Sequence, residues 1–365
     1  MKQKKLTYFL AANSCEGFYS VFDKSYLPDG EWRAFIIKGG PGTGKSSFMK
    51  RLAAYAESAG IKTVLCPCSS DPDSLDAVIL PDKKRVIMDG TAPHTVDPSF
   101  PGVCEKILNF GEYWNDSLFS GNEKEVIHAT LCNKALHATA ARYIKAAGEL
   151  KADNYKTALA CTDKAKTAQF AQRLCRRLIP AKQGTAAGSE WIRFLGGITP
   201  KGIITFNGTV GCEVSKKIII SDPYGSASDI IMNRIREHAL KNGYKIITVK
   251  NPFLPSLITD HIIIPELDIA FVTENEYNSF ESGERRIHAR RFISYSSLHL
   301  SRERIKFNNK TAKELLSSAC KTLERAKAMH DELEKYYIKA MDFTALNSYA
   351  DEFAKKLLNR DELSN

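Results

Sequence analysis

The amino-acid sequence predicts an α/β protein of two tandem three-layer domains with mostly parallel sheets, each followed by a helical segment. Two observations support this fold class. Short apolar segments alternate with amphipathic helical patterns, as they do where parallel strands are covered by helices, and the same succession of elements begins again past residue 190. The 365 residues suffice for two ordinary domains. We therefore predict domains at 1–188 and 189–365, with helical segments at about 101–180 and 284–365.

The composition is that of a globular protein, with 43% hydrophobic and 26% charged residues. No apolar segment reaches the ~18 residues that a membrane-spanning helix needs, so no membrane association is predicted. Nine cysteines without a framework spacing predict reduced thiols and a cytoplasmic location. The formal net charge of +10 leaves room for an unknown protein or polyanionic partner, but the absence of a nucleic-acid-binding motif disfavours nucleic acid.

The strongest chemical signal is Gly39-Gly-Pro-Gly-Thr-Gly-Lys-Ser46, which follows the apolar segment Ala34–Ile37 and matches G-x-x-x-x-G-K-[ST]. Glycines allow backbone N–H groups to surround phosphate oxygens, and the following helix adds the partial positive charge of its N-terminus. Lys45 is predicted to bridge the β- and γ-phosphates, and the Ser46 hydroxyl to bind Mg²⁺. The domains are therefore predicted to be P-loop NTPase-like, with a nucleotide contacted by Gly39, Gly40, Pro41, Gly42, Thr43, Gly44, Lys45, Ser46 and Ser47.

A second set of candidates follows the aliphatic segment that ends at Asp89, the pattern of a Walker B strand. Asp89 is predicted to hold Mg²⁺, directly or through water, across from Ser46; a turn-forming role is the alternative. The polar loop after it contains His94 and Asp97 and leaves the sheet edge at which open α/β sheets bind ligands. His94 is thus a candidate catalytic residue that positions water or senses the γ-phosphate. A solvated turn bounded by prolines explains this loop equally well.

The second half of the chain repeats the first. Phe9-Leu-Ala-Ala12 recurs as Phe194-Leu-Gly-Gly197, and Asp76–Pro81 recurs as Asp260–Pro265. Matched positions stay between 182 (223 minus 41) and 185 (194 minus 9) residues apart, which predicts a tandem duplication. The repeat also indicates that the apolar segment near the N-terminus is a structural strand rather than a signal peptide, because its copy lies in the middle of the chain.

The second copy has lost the predicted chemistry. Alignment of its loop, Ser221–Ser228, gives these replacements: Ala227 for Lys45, Thr273 for Asp89, Leu254 for Asp71, and Tyr224 for a glycine. A side chain at Tyr224, with Asp222 beside it, would oppose the approach of phosphate. The residues lost together mark Lys45, Asp71 and Asp89 as one functional set, in which Asp71 is predicted to orient water or a second substrate.

Four arginines lie within Arg285–Arg291, near the end of the second copy. They could supply an arginine finger to the intact loop across the pseudo-symmetry axis. A solvated basic helix end is the alternative that this segment favours.

Three segments of the first half, GGPGTGKSS, DGTAPHTVDP and PGVCEKILNFGEYW, make the chain resemble a family of uncharacterised tandem P-loop ATPases of Gram-positive bacteria. The resemblance covers essentially the full length and implies the fold and ATP binding rather than a pathway. In similar proteins the second half can carry a better-formed glycine-rich loop. This chain departs from that pattern, which argues against a second active nucleotide site.

We therefore predict a Mg²⁺-dependent ATP-binding protein, an ATPase with one functional site in its N-terminal half. One alternative is a small-molecule or nucleotide kinase that uses the same loop, with Asp71 or His94 near the acceptor. It is disfavoured because the first half shows no clear arginine-rich lid. The other alternative is a non-hydrolysing, nucleotide-gated interaction module.

Overall fold

The computed structural model describes residues 5–92, 95–182, 186–281 and 285–358. It contains two six-stranded, mostly parallel sheets and eight α-helices within these ranges. The elements of the first half are β1 (Leu6–Thr7), β2 (Ala11–Ser14), β3 (Gly17–Ser20), β4 (Arg33–Lys38), α1 (Lys45–Ser58), β5 (Val64–Pro67), β6 (Leu75–Leu80), β7 (Arg85–Asp89), β8 (Glu105–Asn109), α2 (Glu123–Ala160) and α3 (Lys164–Leu178).

The second half follows the same succession. Its elements are β9 (Glu190–Arg193), β10 (Gly196–Thr199), β11 (Gly202–Thr205), α4 (Val210–Glu213), β12 (Lys216–Ser221), α5 (Ser226–Lys241), β13 (Ile246–Lys250), β14 (Thr259–Ile264), β15 (Ile269–Glu274), β16 (Arg285–His288), α6 (Tyr295–His299), α7 (Arg302–Ala340) and α8 (Phe343–Leu358).

The two sheets have the same strand order, β1-β5-β6-β7-β4-β8 in the first and β9-β13-β14-β15-β12-β16 in the second. In each, the third strand (β6 or β14) is antiparallel to both its neighbours, and the other pairings are parallel. The hairpins β2-β3 and β10-β11 also correspond. The chain is therefore two copies of one α/β unit, in agreement with the repeat in the sequence.

Two segments predicted to be helical contain edge strands instead. The segment Val103–Leu108 enters β8, which pairs in parallel with β4, and the basic segment after residue 284 forms β16, which pairs in parallel with β12. Hydrogen bonding to a distant strand outweighs local preference here, because an edge strand gains its partner only when the whole sheet forms. Each sheet thus has one more parallel strand than the sequence patterns indicated.

The inner faces of the two sheets share one core. Alternate residues of each strand point to opposite faces, so that Ala34 and Ile36 of β4 enter this core while Phe35 and Ile37 face outward. At its centre Phe9 and Phe194, matched residues of the two copies, exchange backbone N–H···O bonds of 2.8 and 3.0 Å. Both side chains are fully buried. This pair lies on an approximate two-fold axis between the halves.

The helical segments cross over to the opposite half. On the outer face of the first sheet, α1 packs beside α8, whereas α5 packs beside α3 on the second sheet. The long helices α2 and α7 pair antiparallel: Asn308 near the start of α7 bonds Asn154 near the end of α2. Each sheet is consequently covered by one helix of its own half and one from the other.

No helix in the described ranges combines the length and the apolar character needed to cross a membrane. The nine cysteines are free thiols.

Burial of His261 on β14 makes the stability of the second half depend on pH. The side chain is 1% exposed, and its Nδ1 accepts a hydrogen bond from the Thr273 N–H at 3.0 Å. Burial lowers the pKa of His261 from 6.5 to about 3. Below pH 6.5 the unfolded chain therefore takes up a proton that the folded ring refuses. The stability present above pH 6.5 is lost as the pH falls towards 3.

We expect His261→Asn, which keeps an acceptor near Nδ1, to reduce the slope of unfolding free energy against pH between pH 6 and 4.5. The reduction should approach about 1.4 kcal/mol per pH unit, measured by chemical denaturation. The exposed His299 provides the control, His299→Asn, which should keep the wild-type slope. The comparison must be between variants, because burial raises the pKa of Asp260 to about 7 and acts in the opposite sense. Equal slopes for His261→Asn and wild type would contradict the expectation.

Candidate functional site

The glycine-rich loop connects β4 to α1 and places Lys45 in the first turn of the helix. Gly42 and Gly44 adopt φ values of +68° and +85°, which L-residues with side chains rarely tolerate. The Lys45 amine folds back over the loop and donates to the carbonyl oxygens of Gly39 at 3.0 Å and Gly40 at 2.7 Å. The loop thus holds its lysine pointing along its own concave side.

Asp89 ends β7 beside this loop. Because β7 pairs in parallel with β4, with Asp89 opposite Ile37, both chain segments leave the sheet at the same edge. One oxygen of the Asp89 carboxylate accepts from the N–H and hydroxyl of Thr91 at 2.8 and 2.5 Å. The other lies 3.6 Å from the Lys45 amine. Lys45 and Asp89, predicted separately from sequence, therefore meet.

Ser46 and Asp71 lie on adjoining parts of the same edge. The Ser46 hydroxyl accepts from the Leu75 N–H at 2.9 Å, and the neighbouring Ser74 hydroxyl donates to Asp71 at 2.7 Å. The Asp71 carboxylate is also 3.6 Å from the Lys327 amine of α7. Asp71 therefore connects the loop region to the second half of the chain.

The other predicted residues divide into three groups. Pro41 and Thr43 lie within the loop, where Thr43 is buried and its hydroxyl donates to the Gly40 carbonyl at 2.8 Å. Ser47 is exposed on α1. His94 lies outside the described residues, and Asp97 accepts from the Lys38 amine at 2.7 Å.

One face of α7, from the other half, covers the loop. We call its four residues, spaced at helical intervals, the α7 roof: Lys327, His330, Glu334 and Tyr337. Glu334 Oε1 accepts a hydrogen bond of 3.1 Å from the Gly42 N–H, and His330 Nε2 lies 3.4 Å from the same oxygen. The hydrogen bond from His330 is the main cause that lowers the pKa of Glu334.

The α7 roof was missed by the sequence predictions. Its spacing on one helical face was a visible signal, but the crossover that brings α7 to the opposite half is not encoded in any local pattern. Contact is close along the loop: a Cβ at Gly40 would lie 2.4 Å from the Tyr337 ring, and one at Gly44 would lie 3.2 Å from Phe343 and Leu346.

Comparison of the two loops corrects the sequence alignment by one residue. Asp229 accepts from the Thr259 N–H at 3.0 Å, the same position in the sheet at which Ser46 accepts from the Leu75 N–H. Gly225, like Gly42, has a positive φ, of +77°. Ser228, rather than Ala227, therefore stands where Lys45 is (228 minus 45 gives 183), and the amine is still lost.

The second loop contains its own anion. Asp222, at the position of Gly39, is fully buried, and one of its oxygens accepts from the N–H groups of Ala227 and Ser228 at 2.9 Å each. The other accepts from the Tyr224 N–H at 3.1 Å. The carboxylate occupies the place at the helix N-terminus that a phosphate would take.

The arginines proposed as a finger contact the second half and α3. Arg286 pairs with Glu274 on β15, Arg290 stacks on Tyr295, and Arg291 stacks on Phe170 of α3. The side chains of the second half that do reach the first loop come from α7 and α8 instead.

Comparison of the chain with protein-family models, with curated proteins and with solved structures gives no significant match.

The contact between Gly40 and Tyr337 can be tested through the free energy of unfolding of variants at these positions. Gly40→Ala should destabilise the fold by about 1–3 kcal/mol, because the new methyl group overlaps a ring held by Trp114 and Phe119 at centroid distances of 5.8 and 5.0 Å. Adding Tyr337→Ala should remove that penalty, so that the double-mutant cycle gives a coupling energy measurable by chemical denaturation.

Gly208→Ala provides the matched control, because no atom lies within 4 Å of a Cβ at that glycine and its φ is not positive. It should leave stability nearly unchanged. Strict additivity of Gly40→Ala and Tyr337→Ala would show that α7 does not cover the loop as described.

Proposed function

We propose that the chain is a Mg²⁺-dependent ATP-binding protein and an ATPase with a single nucleotide site, in a P-loop NTPase-like N-terminal half. The observation that carries the proposal is the meeting of Lys45 with Asp89 beside the N-terminus of α1. A lysine and a strand-terminal carboxylate at one glycine-rich turn are the groups that hold phosphate and metal in such sites. The resemblance noted from sequence points to the same class.

The residues present fit a nucleotide phosphate chain. The Gly42 N–H already donates to a carboxylate oxygen, so the loop presents donors to an anion. Lys45 would exchange its bonds with the loop carbonyls for phosphate oxygens and neutralise their charge. The space beside the loop glycines is occupied by Tyr337 and Glu334 of α7, so bound phosphate would have to displace these contacts.

The residues present also fit Mg²⁺. This ion commonly binds one or two protein oxygens together with substrate phosphates. The Ser46 hydroxyl retains a free lone pair beside the one used by Leu75 N–H, and one Asp89 oxygen faces Lys45 rather than Thr91. Ser46 and Asp89 would therefore hold the metal, which would balance phosphate charge. Asp71 would orient the attacking water from the turn beside Ser46.

The second half would bind no nucleotide in this proposal, because Asp222 fills its loop and Ser228 replaces the lysine. A nucleotide-gated interaction module is a second candidate, and the α7 roof favours it, since nucleotide in the loop must contact a helix that belongs to the other half. The cytoplasmic location and a protein or polyanionic partner stay predictions from composition.

Lys45→Ala should lower ATP turnover by about 100-fold or more, because it removes the cation that faces the phosphates. Release of inorganic phosphate, measured with Mg²⁺ and without an added acceptor, is the readout. Lys50→Ala, on the exposed face of the same helix, is the charge-matched control and should retain wild-type turnover.

The same preparations give the binding stoichiometry, which should be one nucleotide per chain. Two nucleotides per chain, or equal turnover in the two lysine variants, would contradict a single site built on Lys45. Tight binding without turnover would favour the interaction module, and release of phosphate only with an acceptor would favour a kinase.

A further inference from the structure

We propose that Glu334 occupies a phosphate subsite of the first loop, so that nucleotide and helix α7 compete for the same backbone N–H. The inference rests on the proposed function and adds the regulation of that site. Its basis is direct: the Glu334 carboxylate, from the second half of the chain, accepts the Gly42 N–H at 3.1 Å. Carboxylate and phosphate oxygens accept the same kind of hydrogen bond from a backbone N–H at a helix N-terminus.

The duplicated loop also holds a carboxylate against its backbone N–H groups. There, Asp222, a residue of the loop itself, accepts from Tyr224, Ala227 and Ser228 rather than from Gly225, the counterpart of Gly42. The first loop has Gly39 at that position and receives its carboxylate from α7 instead. Each loop therefore holds one carboxylate against its N–H groups, but only in the first does the carboxylate come from a helix of the other half rather than from the loop itself.

The helices that cover the two loops can be aligned residue by residue, which shows that the residue matching Glu334 in the other half is not a carboxylate. The Asp163 and Asp342 side chains cap the N-termini of α3 and α8 in the same way. The backbone N–H of Asp163 donates to the Phe292 carbonyl at 2.8 Å, and that of Asp342 to the Tyr113 carbonyl at 2.7 Å. With these caps aligned, the residue of α2 that matches Glu334 is Tyr155 (334 minus 155 equals 342 minus 163). Tyr155 donates to Asp229 and provides no carboxylate to its loop.

The surroundings of Glu334 suit a side chain that binds the first loop and can be displaced from it. Its side chain is 35% exposed, and its partner His330 lies on the same helix, so the two side chains would move together with α7. Lys327, one further turn away, is shared between Asp71 across the contact and Asp331 on α7. Withdrawal of the carboxylate would leave Lys327 as the cation of the α7 roof that faces bound phosphate, with the His330 ring beside it.

Competition of this kind has a defined thermodynamic sign. Only molecules in which Glu334 does not fill the subsite can bind nucleotide, so the apparent affinity is the intrinsic affinity multiplied by the fraction of such molecules. By linkage, nucleotide must weaken the contact of α7 with the loop by the same factor. Tyr337 of α7 is in ring contact with Trp114 at a centroid distance of 5.8 Å, so movement of α7 would change the surroundings of Trp114.

The test measures the affinity of Mg²⁺–ADP by calorimetry in four proteins: wild type, Glu334→Gln, Glu334→Ala and Glu332→Gln. Glu334→Gln removes the charge and Glu334→Ala removes the acceptor as well. We expect binding to tighten by about tenfold in the alanine variant, within the usual range of coupling between sites, and by less in the glutamine variant. Glu332 is exposed on the same helix and pairs with Lys335, so Glu332→Gln should match wild type.

A second readout follows the roof itself. Mg²⁺–ADP should change the fluorescence of Trp114 in the wild type, and Trp114→Phe should abolish that change. Thermal unfolding of each variant without nucleotide shows whether it is folded. The partly exposed position of Glu334 makes the glutamine variant a safe substitution where the alanine variant is unstable.

Each outcome of these measurements supports or overturns the proposed competition. Tighter binding in both Glu334 variants with unchanged Glu332→Gln supports the competition. Equal or weaker binding in the Glu334 variants overturns it while leaving the nucleotide site in place. No binding of Mg²⁺–ADP by any of the four proteins overturns the proposed function and this inference with it.

Discussion

The structure depends on the reciprocal backbone bonds between Phe9 and Phe194, at the centre of the core shared by the two sheets. Two unconnected domains would each bury only their own sheet faces. Here the inner faces pack on each other, so each sheet relies on the other to exclude water from one of its two apolar faces. Neither half of the chain contains a complete core.

This arrangement explains why the candidate site is composite. Once the halves are fixed about their approximate two-fold axis, the crossing helices bring α7 and α8 over the first loop, and α2 and α3 over the second. The loop, Lys45, Ser46 and Asp89 come from the first half, whereas Glu334, His330 and Tyr337 come from the second. The nucleotide chemistry proposed for the first loop would therefore depend on the packing of the second half.

The features that can be predicted from the sequence are those with a local signal. The glycine-rich turn could be recognised because its spacing is set by backbone conformation at Gly42 and Gly44, and the approach of Asp89 to Lys45 follows from adjacent parallel strands. The duplication was visible because many matched elements of the two halves lie the same number of residues apart. These features fix the topology of each unit and half of the site.

Non-local effects account for what the sequence could not provide. The sequence patterns predict helix where β8 and β16 lie, because an edge strand is stabilised only by its distant neighbour. The one-residue shift between Lys45 and its counterpart Ser228 became visible through equivalent hydrogen bonds to Leu75 and Thr259. The α7 roof depends on which helix crosses to which half, and no spacing within α7 determines that.

The buried Asp222 carboxylate gives the duplicated unit a mechanical asymmetry. Its three backbone hydrogen bonds hold the second loop in one state at one end of the α2–α7 pair. At the other end, the loop meets a carboxylate that belongs to the pair itself. A structural change at the first loop would therefore reach α7 directly through Glu334, whereas the carboxylate of the second loop has no such link to the long helices.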